Sequence, residues 1–307
     1  MKREFYFRSK DKETQIHAIE WKPEGEVKGV LQLCHGMVEY IDRYHDFAEF
    51  MSKQGYYVVG HDHLGHGQSV VSEDKLGYFA EKKGNDRVIG DIHQLRLKTE
   101  EKYSGIPYFM MGHSMGSFLV RQYAGVYGEG LSGVIIMGTG NQATVTLNAG
   151  MFVCKFISML RGWEHRSKLV DSMAVGAYDK VFAKETDGSN WLSRNVDVVK
   201  KYKNDPRCGF RFTVNAYYNM FKGMKKMNDQ EANGTTPKDL PVFFVAGDDD
   251  PVGNMGIGVR HVYEKYQKLG MKDVAIKLYP DNRHEILNEF DKEIVYQDLL
   301  NWLDSKR

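Results

Sequence analysis

The run Gly112-His113-Ser114-Met115-Gly116 sits behind an apolar stretch, 106–111, and ahead of a helical pattern, 117–124. A G-x-S-x-G motif between strand and helix holds its serine on a sharp, strained turn, where the flanking glycines remove Cβ atoms that would clash. Ser114 is therefore expected to be a nucleophile. A serine hydroxyl is weak at neutral pH, so it needs a base, and the base needs an orienting acid. Both residue types stand just past later apolar runs: Gly247-Asp248-Asp249-Asp250-Pro251 behind 242–246, and Pro280-Asp281-Asn282-Arg283-His284 behind 274–279. His284 is the only histidine after His261, which falls inside a predicted helix, so His284 is the expected general base. Asp250 is the favoured acid because Pro251 holds it extended, with Asp248 and Asp249 as alternatives.

Attack on a carbonyl also requires donors for the developing oxyanion, each worth ~2.7–4 kcal/mol of barrier. The Met115 N–H, next after the nucleophile, supplies one. The second is expected from His35-Gly36-Met37, which follows the apolar run 29–34. Gly36 permits close approach there, and the Met37 N–H is the expected donor. The competing reading of Gly36 is a plain loop glycine.

The surrounding pattern says what must position these groups. Segments 5–8 and 15–21 read as an opening strand pair, followed by strands 29–34, 56–60, 106–111 and 131–137, with helices near 42–54, 85–103 and 117–124 between them. Strands separated by helices imply an α/β fold, a mostly parallel sheet with helices on both faces. The alternation stops at Gly138-Thr139-Gly140 and returns with strand 242–246, helix 258–269, strand 274–279 and helix 292–303. Residues 1–140 and 237–307 are thus expected to form the core, and 141–236 an inserted, mainly helical cap.

A chain of 307 residues with 42% hydrophobic and 27% charged content is ordinary for a soluble globular protein. No stretch reaches the ~18 apolar residues of a membrane span. Without an apolar leader near Met1, and with Cys34, Cys154 and Cys208 far apart, reduced buried thiols and a cytoplasmic location are expected. A net charge of +1 and the lack of a recognition motif exclude nucleic acid as an expected partner. The cap carries 15 Lys and Arg against 9 Asp and Glu, a net of +6, while the rest has 27 against 32, a net of −5. That asymmetry reads either as a solvated face or as a surface for anionic lipid.

The residues His35-Gly36-Met37-Val38-Glu39-Tyr40, Asp62-His63-Leu64-Gly65-His66-Gly67-Gln68-Ser69, the 112–116 motif, Asp250 and His284 together resemble the α/β-hydrolase superfamily. More narrowly, they resemble its monoacylglycerol lipase and lysophospholipase branch. The resemblance implies Ser114, Asp250 and His284 as a triad, and Met37 and Met115 as oxyanion donors. It also implies Glu39 and Arg43 as ties for the oxyanion loop. Tyr40 departs from the branch, which usually has histidine there. The implied activity is hydrolysis of carboxylic esters of single-chain lipids through an acyl-enzyme, without a cofactor. Lysophospholipids or simple esters are alternative substrates. A proline iminopeptidase-type aminopeptidase and a non-catalytic receptor are the rival classes.

Three further patterns admit two readings each. The cluster His61-Asp62-His63-Leu64-Gly65-His66 lacks the aspartate at 65 that a dinuclear metal motif would need, so no metal is expected. Segment 150–160 is apolar around most of its circumference. It is either a buried cap helix or a lid element whose Phe152, Phe156 and Met159 meet acyl chain or a lipid surface. Tyr217, Phe221 and Met224 lie on a helical stripe, which is either ordinary core or a substrate wall. Transient membrane contact through the cap follows from the second reading of 150–160.

Overall fold

A computed structural model describes residues 1–182 and 190–307. In chain order the elements are β1 (Lys2–Arg8), β2 (Gln15–Trp21), β3 (Gly29–Cys34), α1 (His45–Lys53), β4 (Tyr56–His61), α2 (Gly84–Lys102), β5 (Tyr108–His113) and α3 (Met115–Tyr127). There follow β6 (Gly133–Met137), α4 (Thr144–Arg161), α5 (Lys168–Ala174), α6 (Tyr178–Val181), α7 (Val196–Asn204) and α8 (Val214–Ala232). The chain closes with β7 (Val242–Gly247), α9 (Ile257–Lys268), β8 (Val274–Tyr279) and α10 (Lys292–Asp304).

The strands form one sheet in the order β1-β2-β4-β3-β5-β6-β7-β8. The hairpin-linked β1 and β2 pair antiparallel, as do β2 and β4, and every later neighbour is parallel because a helix carries each return. Alternate side chains take opposite faces. Leu31, Leu33, Phe109, Met111, Phe243 and Val245 pack with Phe47 of α1 and Tyr296 of α10. Val30, Met110, Val134, Ile136 and Phe244 pack with α2, α3 and α9. This is an α/β-hydrolase architecture with a core layer on each side of the sheet. β1 begins three residues earlier than its apolar residues suggest. It is an edge strand, where charged residues are tolerated, and Arg3 pairs across the ladder with Glu20 at 2.7 Å.

Strand order reverses at β3, which has β4 on one side and β5 on the other, and such a reversal opens a crevice at the strands' carboxyl ends. Register brings the key loops to that edge together: Cys34 pairs with Gly112, His113 with Met137, and Gly247 with Tyr279.

Between β6 and β7 the described residues form helices α4 to α8 and no strand. Arg121 of α3 reaches Glu231 of α8 at 2.8 Å, with both side chains about fully buried. Lys265 and the Tyr266 hydroxyl of α9 reach the same carboxylate at 2.7 and 2.9 Å. A buried charge survives only when so paired, which pins the end of α8 to the core. α4 packs closely on α8, where a side chain at Gly150 would collide with Phe221. The three cysteines are free and buried, and burial pushes each thiol up to about 12. No described helix is long and apolar enough to cross a membrane.

Candidate active site

Ser114 joins β5 to α3 at φ 54 and ψ −120, a left-handed conformation that costs a non-glycine residue roughly 1–3 kcal/mol. The glycines make the turn feasible. A Cβ at Gly112 would overlap the Gly116 carbonyl, and one at Gly116 would overlap the carbonyl of Cys34. The Ser114 N–H donates to Met137 O at 3.0 Å, and its carbonyl accepts from Ser117 N and Oγ.

His284 follows β8, and its Nδ1 lies 2.9 Å from Oδ2 of Asp250, which follows β7. Asp250 is fully buried, and its Oδ1 accepts the Val252 N–H at 2.9 Å. Asp248 and Asp249 are half-buried and spend their backbone N–H groups on Tyr279 O and Asn282 O. Of the three neighbouring aspartates, Asp250 alone meets the imidazole. Ser114 and His284 line the same cavity, and no hydrogen bond joins the hydroxyl to the ring in this structure. Such bonds often tighten only when substrate is present.

The loop after β3 closes over the serine, and a Cβ on Gly36 would sit 3.1 Å from the Ser114 Cβ. The Gly36 N–H is taken by Glu39 Oε1 at 2.6 Å. The Met37 and Met115 N–H groups have no acceptor among the described residues, and both residues line the cavity. Glu39 also accepts from Arg43 at 2.6 Å and from the Tyr44 hydroxyl at 2.8 Å. Burial opposes its charge, but Arg43 and His113 outweigh burial and hold the carboxyl well below the usual range. Arg43 continues as a two-pronged pair to Glu285 at 2.9 and 2.8 Å, and His113 Nε2 meets the His284 carbonyl at 3.1 Å. One buried network therefore ties the loop after β3 to the loop bearing His284. Tyr40 supplies a further tie. Its hydroxyl donates to Asp205 at 2.6 Å, and Arg207 lies 4.0 Å over its ring, linking the loop to the segment between α7 and α8.

The cavity above Ser114 measures about 470 Å³. Phe221 and Met224 line it with Met220, Leu147, Phe118 and Val175. Tyr217 does not; it is buried behind the wall, its hydroxyl donating to Asp171 at 2.5 Å. Phe152, Phe156 and Met159 also lie outside the cavity, at 71%, 52% and 76% exposure. The reason is packing. α4 turns its small residues, Gly150 and Cys154, toward α8, so the large apolar ones face outward. Trp191 and Leu192, absent from the sequence-derived candidates, do line the cavity, and their carbonyls accept the His284 and Glu285 N–H groups at 3.3 and 2.7 Å. No local signal marks that contact, which joins residues far apart in the chain.

His35, His61, His63 and His66 cluster in tilted and edge-to-face contacts, with ring centroids 4.2 Å apart for His35 and His63 and 4.9 Å for His61 and His63. Both ring nitrogens of His61 and His63 lack hydrogen-bond partners, and no group able to hold a metal ion occurs among the described residues. Burial disfavours the charged form of all four, lowering His61 and His66 to about 3. Unfolded histidines take protons near 6.5, so the stability contributed by these neutral rings is complete above that pH and lost as pH falls toward about 3. Each ring adds a slope of up to about 1.4 kcal/mol per pH unit. Denaturant melts at pH 7, 6 and 5 should fall steeply, and His61→Leu should flatten the slope by about one proton. Equal slopes in the two proteins would disprove the histidine origin.

This fold and site define an α/β-hydrolase. The chain belongs to the Hydrolase_4 family, described as serine aminopeptidase S33, whose model matches residues 25–291. It is similar to the monoacylglycerol lipase of Mycolicibacterium smegmatis, 26% identical over 288 residues that cover 93% of this chain and 91% of that protein. Human monoglyceride lipase is 26% identical over 306 residues, covering 93% and 86% of the two chains. Among solved structures, a thermostable carboxyl esterase from Bacillus coagulans, in complex with glycerol, superposes with TM-score 0.91 at 28% identity, covering 99% and 98%. A soluble variant of monoglyceride lipase from Saccharomyces cerevisiae, in complex with a substrate analogue, gives TM-score 0.77 at 22% identity, covering 98% and 94%.

Proposed function

We propose that this serine hydrolase cleaves monoacylglycerols, with Ser114 as nucleophile, His284 as general base and Asp250 as orienting acid. The observation that carries the reading is a strained serine lining a cavity with Phe221, Met220 and Met224 on its wall, beside a buried His284–Asp250 pair. The Ser114 Oγ attacks the ester carbonyl while its proton passes to His284 Nε2. The Met37 and Met115 amides hold the oxyanion, and the protonated His284 then gives its proton to the departing glycerol oxygen. Water, deprotonated by the same imidazole, releases the fatty acid. Residues 141–236 act as a cap over this centre. A volume of about 470 Å³ suits one acyl chain and its head group.

The family description raises the aminopeptidase reading, which needs an unpaired carboxylate for a substrate amine. Glu39, Asp171 and Glu285 are the described carboxylates lining the cavity, and each is already paired, with Arg43, Arg211 and Arg43 respectively. The same pairing neutralises Arg211, which favours an uncharged glycerol over the phosphate of a lysophospholipid. A panel of nitrophenyl esters, monoacylglycerols, lysophospholipids and aminoacyl amides tests the reading. Activity should rise with acyl length, since each buried methylene contributes ~0.8 kcal/mol. A peak on acetyl esters would leave a general esterase, and a peak on aminoacyl amides an aminopeptidase.

The protein works in the cytoplasm, where its unpaired thiols stay reduced, and draws substrate from membrane surfaces through the cap. Val145, Phe152, Met159 and Leu160 expose 75%, 71%, 76% and 68% of their surface. Lys155 stands among them in the chain, Arg161 and Lys168 follow, and all three are also exposed. Apolar side chains with interspersed cations suit an anionic lipid interface. Vesicles containing phosphatidylglycerol should retain the protein in sedimentation, and the double change Phe152→Ser with Met159→Ser should release it without altering turnover of a soluble ester. Unchanged retention would remove α4 from the contact.

A further inference from the structure

In the mechanism above His284 must carry a positive charge for part of each cycle, so the groups around its ring decide how readily that charge forms. Asp250 meets Nδ1, and Ser114 and Glu285 share the cavity wall with the ring. Glu285 is already committed to Arg43, and Gly138 lies close enough that a Cβ there would touch the imidazole. Two rings flank it. The first is His113, at 4.6 Å between centroids, whose protonation burial opposes but Glu39 and Glu285 favour. The second is Trp191, at 5.0 Å and 42°. Tyr178 of α6 packs on Trp191 in turn, at 5.2 Å.

Trp191 is held where it is. Its carbonyl accepts the His284 N–H, the Leu192 carbonyl accepts the Glu285 N–H, and Arg283 Nη1 donates to Asn190 O at 2.8 Å. Arg194 donates to Asn282 Oδ1 at 2.5 Å and from its backbone N–H to Glu289 at 3.0 Å. These bonds, with a further one from Arg194 Nε to Glu289 at 3.3 Å, stitch residues 190–194 to residues 282–289, which fixes the indole against the imidazole.

We propose that Trp191 is a positioning residue for His284: its indole steadies the imidazolium at the moment Ser114 gives up its proton. The proposal rests on the reading of His284 as the base. A cation that packs on the face of an indole within about 6 Å of its centroid is attracted by the ring's quadrupole, whereas a neutral imidazole gains little; the two rings here are 5.0 Å apart and tilted by 42°. The contact therefore strengthens as the proton arrives, which is the condition for raising kcat rather than merely tightening binding. Since the residue belongs to segment 141–236, the cap contributes to proton transfer as well as to substrate shape.

The test uses Trp191→Leu, which keeps an apolar neighbour without a π face, Trp191→Phe, which restores one, and His284→Gln. A short nitrophenyl ester avoids effects of acyl packing. In Trp191→Leu the acid limb of the kcat/KM profile should move down by about half a pH unit and kcat should fall about threefold. Trp191→Phe should recover most of both. The chain has four tryptophans, so the emission of Trp191 is read as wild type minus Trp191→Phe. That difference should drop as pH falls, because a protonated imidazole quenches indole, and the step should vanish in a His284→Gln background. An unmoved acid limb with His284→Gln inactive overturns the proposal alone. Full activity in His284→Gln overturns the base reading beneath it.

Discussion

Replacing Ser114 with alanine should lower kcat by about 10⁵–10⁶-fold on any carboxylic ester, with KM changed little. The loss is this large because no other described residue lining the cavity can take over. Thr146, Tyr178 and Tyr202 also present hydroxyls to it, but none sits at the elbow beside Gly36 and the Met37 and Met115 amides. Those amides remain in the variant, so a residual rate about 10³-fold above water is expected. A fluorophosphonate should label the wild type on the peptide bearing Ser114 and leave Ser114→Ala untouched. Labelling that persists in the variant would falsify the assignment. Folding gives an independent check. Alanine keeps the Cβ and so keeps the strain at φ 54, whereas Ser114→Gly should gain about 1 kcal/mol in denaturant melts. A variant that is dead yet more stable than wild type is the expected signature of strain held for function.

The strand ends were the most legible feature, because a buried parallel strand is a short apolar run and the catalytic loops must follow its carboxyl end. β8 runs Val274–Tyr279 as its pattern indicates, and Asp250 and His284 follow β7 and β8 as the reading required. Pattern alone could not say which side of a helix that is apolar around most of its circumference lies inside. For α4 the decision came from backbone approach, since Gly150 and Cys154 allow α8 to come close while Phe152, Phe156 and Met159 do not. Tyr40 illustrates another limit. Its identity departs from the expected histidine, yet its partners Asp205 and Arg207 stand some 165 residues away, beyond any local signal. The same holds for Trp191, whose ring meets that of His284 from a position far away in the chain.

The proposed acid, Asp250, offers the sharpest discrimination, since three aspartates stand side by side. Asp250→Asn should lower kcat about 10⁴-fold near neutral pH while leaving the fold intact. The size follows from two hydrogen bonds with opposite demands on an amide. Oδ1 of Asp250 accepts the Val252 N–H at 2.9 Å, and Oδ2 meets His284 Nδ1 at 2.9 Å. An asparagine has one oxygen to offer. The Val252 N–H belongs to the backbone and cannot change role, so it claims that oxygen and turns the amide NH₂ toward His284. The imidazole must then present a bare Nδ1 and carry its proton on Nε2, the nitrogen that should receive the proton of Ser114. Catalysis stops because the base points the wrong way, with its position unchanged. Asp248→Asn and Asp249→Asn face no such choice, and each should stay within about threefold of wild type. Measuring kcat for the three asparagine variants settles the matter: a loss at 249 equal to that at 250 would refute the tautomer argument, because Asp249 has no contact with the imidazole.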